Sequence, residues 1–135
     1  MRVTATLFLM LTMQAQAGEL KLEIFGKDLA GQEVRVGVYN TNDHFGEEAH
    51  YFKGMIATAT GDSVTVTFPD LPAGKYAAGA YADSNRNGKH DTFLGKPLEL
   101  YGFTKDARGM FSPPDFSDAA FDVSAGTVTQ SIHLQ

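Results

Sequence analysis

The sequence contains no cysteine, and that absence removes a set of mechanisms at once: there is no disulfide framework, no thiolate metal site, no cysteine nucleophile and no lipid-anchored cysteine behind a leader. Tryptophan is absent too, which leaves the aromatic surface to 10 Phe and 5 Tyr. Positive charge is scarce, with 11 Lys and Arg against 16 Asp and Glu and a net charge of −5. The basic residues stand singly between acidic ones, whereas binding to a nucleic-acid backbone draws on clustered cations that release counterions. No nucleic-acid partner is expected, and the same balance argues against an anionic membrane surface. Long apolar runs are missing as well. The stretch Val3 to Met13 is shorter than the roughly 20 residues that cross a bilayer, and no later segment resembles a stop-transfer sequence. There is no G-x-S-x-G element and no glycine-rich phosphate loop, and no nucleophile stands beside an evident base.

The N-terminus reads as an address. Arg2 is the only charge before an apolar stretch, and Ala15-Gln16-Ala17 has the small-x-small form of a signal-peptidase site. Residues 1–17 are therefore expected to be a cleaved signal peptide, residues 18–135 a single domain, and the mature protein periplasmic or secreted without a transmembrane segment. With 43% hydrophobic residues the remainder is long enough for a core and too apolar to be disordered.

The mature chain is patterned with period two. Leu20, Leu22 and Ile24 alternate with Lys21 and Glu23, Val34, Val36 and Val38 with Arg35 and Gly37, and Val64, Val66 and Phe68 with Thr65 and Thr67. Tyr76 to Tyr81 continues the theme, Met55 to Thr60 is weaker, and Val128, Ile132 and Leu134 mark a terminal strand after the Ala125-Gly126 turn. Gly26, Gly31, Gly61-Asp62, Pro69 to Gly74 and Asn87-Gly88 punctuate the runs. The fold class that follows is all-β: a single antiparallel β-sandwich of about seven strands. One short helix is expected over Asn42 to Lys53, where Phe45, Ala49 and Phe52 are spaced to face one way. From Ala82 to Phe121 the alternation lapses, yet aromatic residues recur among Gly, Pro and Asp. Phe103, Phe111, Phe116 and Phe121 either close one end of the sandwich as a satellite core or contribute to an exposed stacking platform for a sugar or peptide. Tyr101 and Phe103 are the first candidates for that platform within the aromatic region 93–121.

One stretch carries metal chemistry. From Asp83 to Asp91, oxygen-bearing side chains fall at loop positions 1, 3, 5 and 9 and Gly88 falls at position 6. A hard cation such as Ca²⁺ takes six to eight oxygens, which a curling loop supplies from alternate side chains and one carbonyl. The candidate ligands are Asp83, Asn85, Asn87, the Lys89 carbonyl and Asp91. The loop departs from an EF-hand in having Leu94 at position 12 and no long flanking helices, so a site needs an outside carboxylate, for which Asp106, Asp115 and Asp118 are candidates. With two charged residues in the loop the affinity belongs at the weak extracellular end, roughly 10⁻⁴ to 10⁻³ M. Asp and Asn before Gly also make metal-free Asx-turns, so the alternative is a purely structural turn. His44 and His50 flank Glu47 and Glu48, but their spacing matches neither H-E-x-x-H nor its inverse, and histidines six apart on a helix do not share a face. They are not expected to bind zinc. His90 and His133 read as surface residues, the carboxylates Asp115, Asp118 and Asp122 as solvating groups, and the chain as a non-enzyme.

Several of these segments together resemble a bacterial exported family known as domain of unknown function 2141. They are Val64-Thr65-Val66-Thr67-Phe68, Leu71-Pro72-Ala73-Gly74-Lys75-Tyr76, Asp83 to Asp91, Phe93-Leu94-Gly95, Tyr101-Gly102-Phe103, Ala107-Arg108-Gly109 and Pro113-Pro114 to Ala119-Ala120-Phe121. The L-P-A-G-x-Y element on its own is shared with many prealbumin-like and carboxypeptidase-regulatory-like sandwiches. Members of the family often carry an aromatic-His pair before the Asp loop, where this chain has Tyr81-Ala82. The resemblance implies a single prealbumin-like, Ig-like β-sandwich outside the cytoplasm and brings no established activity. The expected function is that of an exported, non-enzymatic module with a weak calcium loop at 83–91 and an unknown protein or glycan partner. The alternative is a small-ligand, glycan or peptide binding domain.

Overall fold

A computed structural model describes residues 17–47, 50–88, 92–93, 96–97, 99–109 and 113–135. Residues 1–16 of the expected leader, together with Lys89, His90, Asp91, Leu94 and Phe111, lie outside the described residues. Two sheets face each other. The smaller has the order β10-β1-β4, formed by β1 (Gly18–Phe25), β4 (Ser63–Leu71) and β10 (Gly126–His133). The larger has the order β3-β2-β5-β8, formed by β2 (Glu33–Tyr39), β3 (Lys53–Thr58), β5 (Gly74–Asp83) and β8 (Tyr101–Phe103), and β9 (Phe121–Val123) pairs the start of β5. β6 (Thr92–Phe93) pairs antiparallel with β7 (Lys96–Pro97). This is the expected all-β sandwich. One pair departs from the antiparallel expectation: β1 and β10 run parallel, with Leu20 opposite Val128 and Ile24 opposite Ile132. The intervening chain serves as the crossover connection that a parallel pair requires.

The alternation accounts for the core. Leu20, Leu22 and Ile24 of β1, Val66 and Phe68 of β4 and Ile132 of β10 are buried against Val34, Val36 and Val38 of β2 and Ala78, Ala80 and Ala82 of β5. The outward residues of the small sheet, such as Lys21 and Thr65, are exposed. The outer face of the large sheet is different. There Tyr39, Ala77 and Phe103 are buried in a second cluster with Phe45, Ala107 and Ala119. Phe45, Ala107, Phe116 and Ala119 therefore roof part of that face.

The helix expected over Asn42 to Lys53 does not form among the described residues. His44 at φ 58° and Gly46 at φ 86° turn the chain left-handed, and a right-handed helix cannot continue through them. The short helix lies elsewhere, as α1 (Phe116–Ala119), in the region read as irregular. Among the described residues no helix is long and apolar enough to cross a membrane.

Candidate functional site

The unroofed part of the outer face holds a groove, and its floor follows from strand register. Gly37 of β2 lies opposite Gly54 of β3 on one side and Gly79 of β5 on the other, and Gly79 lies opposite Phe103 of β8. Three adjacent strands thus present a row without side chains. Rings lie on that row: a β-carbon on Gly79 would stand 2.8 Å from the Phe103 ring, one on Gly54 2.7 Å from Tyr51, and one on Gly37 3.2 Å from Tyr39. Real β-carbons essentially never approach as closely as the contacts at Gly79 and Gly54 and seldom as closely as that at Gly37, so the glycines are what lets the rings lie against the backbone. The next row is Ile56, Arg35, Tyr81 and Tyr101. The resulting groove has a volume of about 730 Å³, within the range of small-ligand sites. Tyr51 and Ile56 are exposed on one side of it, and half-buried Tyr101 stands on the other with the Arg108 guanidinium 4.1 Å above its ring.

The cation on the groove floor is already paired. Arg35 Nη2 donates to Glu33 at 2.8 Å, and its Nε donates to Asp83 Oδ2 at 3.0 Å. Burial lowers the Arg35 pKa, but the hydrogen bond to Asp83 and the fields of Tyr81 and Glu33 outweigh it and raise the group above its ordinary value. Two carboxylates thus offset one guanidinium, and the floor offers no uncompensated positive charge to an anion.

Asp83, the first residue of the expected calcium loop, is the last of β5 and is fully buried. Besides Arg35, its Oδ2 accepts the Gly88 backbone N–H at 2.8 Å and its Oδ1 accepts that of Asn87 at 3.2 Å. Asn85 and Asn87 are exposed, and Asn85 Oδ1 also accepts the Asn87 N–H. Lys89 and Asp91 lie outside the described residues. The carboxylate brought to this loop is Glu99, which is buried and accepts the Ser84 N–H at 2.6 Å. Of the carboxylates proposed from sequence, Asp106 instead pairs with His133 at 2.9 Å, while Asp115 stands at the N-cap of α1 and Asp118 lies within it.

The stacking candidates Tyr101 and Phe103 both line the groove, and Phe103 is also part of the second cluster; the satellite-core and platform readings meet in one ring. Phe116 packs on that cluster, and Phe121 belongs to the main core. Reading the sequence missed Arg35, Gly37, Gly54, Gly79 and Glu99. A signal for two of the glycines was present: in Val36-Gly37-Val38 and Ala78-Gly79-Ala80 a glycine takes the outward position of a strand, which marks a close approach.

These features define a class, an all-β sandwich with an aromatic-lined groove on the outer face of its larger sheet. The chain belongs to the family described as uncharacterized protein conserved in bacteria (DUF2141), whose model matches residues 14–131. No curated protein and no solved structure matches it.

Proposed function

We propose that the protein is a non-catalytic binding module whose groove takes a small, neutral, ring-bearing ligand, a saccharide in the first instance. The observation that carries this is the row Gly54-Gly37-Gly79, which clears the sheet surface so that Tyr39, Tyr51 and Phe103 line a groove whose cation is already paired. Sugar rings have an apolar face that stacks on aromatic rings and a rim of hydroxyls that tyrosine hydroxyls can meet. A charged ligand would gain nothing from Arg35 without breaking its pairs with Glu33 and Asp83. The test is NMR titration with a panel of neutral oligosaccharides. The expected outcome is shifts at Gly37, Gly79 and Tyr101, with affinity reduced in Tyr51→Ala by about 1.4 kcal/mol, or roughly tenfold. Shifts confined to other surfaces, or an unchanged affinity in Tyr51→Ala, would refute the reading.

A second reading, weak calcium binding at Asp83, Asn85, Asn87, Lys89 and Asp91, is favoured by one observation: the loop gains a buried carboxylate neighbour in Glu99. Against it stands the pairing of Asp83 with Arg35, which already neutralises the strongest ligand. Export is proposed on the leader pattern of residues 1–17, supported by the start of β1 at Gly18, directly after the small-x-small site. The intact mass of native protein tests it, with Gly18 expected as the first residue; a native product that retains residues 1–17 would refute it.

A further inference from the structure

We infer that His44, Glu47 and His50 form a site for a borderline divalent transition ion of the Zn²⁺ class, beside the groove and independent of it. The ligand atoms of the three side chains all lie within 4.8 Å of one another. His44 Nδ1 is 2.6 Å from Glu47 Oε2, and His50 Nε2 is 3.8 Å from the same oxygen. Two ligands bound to one tetrahedral zinc at 2.0–2.1 Å stand about 3.3 Å apart, so the two observed separations bracket the required one and each has less than an ångström to move. An ion seated here takes the place of the direct contact between His44 and Glu47.

The two imidazoles are stacked, with centroids 4.1 Å apart and planes 19° from parallel. A metal lies in the plane of each imidazole that binds it, so one ring must swing out of the stack. Both histidines are about half exposed, at 58% and 49%, and rotation about their side-chain torsions displaces no core residue. Phe45 and Glu47 are anchored from beneath. Phe45 is buried against Tyr39, Phe103 and Phe116, and the Tyr39 hydroxyl donates to the Glu47 carbonyl at 3.1 Å. The Glu47 N–H donates to the His44 carbonyl at 3.0 Å and the His50 N–H to the Glu47 carbonyl at 3.0 Å, and this period of three brings residues 44, 47 and 50 to one side, whereas an α-helix would set His44 and His50 about 120° apart. Two imidazoles and one carboxylate suit Zn²⁺, Co²⁺, Ni²⁺ or Cu²⁺, whereas Ca²⁺ and Mg²⁺ need more oxygen ligands. A three-ligand set leaves the fourth position to water.

The experiment is calorimetric titration of the untagged protein with Zn²⁺, repeated with Ca²⁺, together with visible absorption on adding Co²⁺. One Zn²⁺ per chain is expected, with a tetrahedral Co²⁺ spectrum. His44→Ala, His50→Ala and Glu47→Gln should each weaken Zn²⁺ by at least the roughly 10-fold that even an outer-shell change costs. His133→Ala, at a histidine that pairs with Asp106 and lies outside the cluster, should not. Because the three side chains are exposed, the metal-free variants should melt with the wild type, which separates loss of a ligand from loss of fold. Absence of saturable Zn²⁺ binding, wild-type affinity in the His44→Ala/His50→Ala double variant, or loss of binding in His133→Ala would each overturn the assignment.

Discussion

Thr104 offers the sharpest test of how the roof over the large sheet is held. It follows β8 directly and is fully buried. Its hydroxyl accepts the Ala78 backbone N–H at 3.2 Å and donates to the Ala119 carbonyl at 2.6 Å. One side chain thus continues the β5–β8 ladder past the end of β8 and ties α1 to the sheet. Thr104→Val keeps the shape and removes both bonds, leaving a donor and an acceptor buried without partners. At about 1–3 kcal/mol for each unsatisfied group, with some relaxation, the loss should be about 2–4 kcal/mol. Thr104→Ser keeps the hydroxyl and removes one methyl, a loss of about 1 kcal/mol. For a domain of this size each kcal/mol is worth about 3–5 °C, so the valine variant should melt roughly 6–20 °C below wild type and the serine variant about 3–5 °C below. Denaturant and thermal melts of the three proteins decide the matter. If the valine variant is as stable as wild type, or the serine variant is the weaker of the two, the hydroxyl is not what joins roof to sheet.

The core register predicts that Val36→Ala and Val66→Ala, at buried positions, each cost about 1–3 kcal/mol in a urea melt, while Thr65→Ala and Thr67→Ala cost about 0.5–1 kcal/mol; the reverse order would refute it. On the calcium reading, 10 mM Ca²⁺ against a dissociation constant of about 0.1–1 mM should add roughly 1.4–2.7 kcal/mol over a chelator control, and Asn85→Ala should abolish the gain; equal melting temperatures with and without calcium would leave the loop a structural turn. Asn85 is the residue to change because it is exposed, whereas Asp83→Ala strips buried partners from Arg35, Asn87 and Gly88 and destabilises the protein with or without calcium.

The facing residues of the sandwich were legible because a strand with one buried face must alternate, and Leu20-Leu22-Ile24, Val34-Val36-Val38 and Val64-Val66-Phe68 do so without a break. What alternation does not carry is the identity of the neighbour. Nothing in Leu20 or Val128 distinguishes a parallel from an antiparallel partner, and the β1–β10 pairing joins the two ends of the domain. Strand β8 is three residues long, too short for any period to show, yet it delivers Tyr101 and Phe103 to the groove. β5 is buried on both faces from Tyr76 to Asp83 apart from half-buried Gly79, so its sequence is a near-continuous run of small and aromatic residues. Its outward face became readable only once Phe103 and the roof were known to cover it.

The loop before β3 shows a more particular failure. Phe45, Ala49 and Phe52 have the spacing of a helical stripe, and that spacing also removed His44 and His50 from consideration, since residues six apart on a helix point apart. Only Phe45 of the two phenylalanines is buried; Phe52 is 42% exposed. A single anchor fixes a loop's position without imposing a helical period, and His44 and Gly46, both left-handed, let the chain reverse above it. Once the loop folds on one buried ring, the relevant geometry is the turn. The two histidines that α-helical spacing separates then converge on the Glu47 carboxylate.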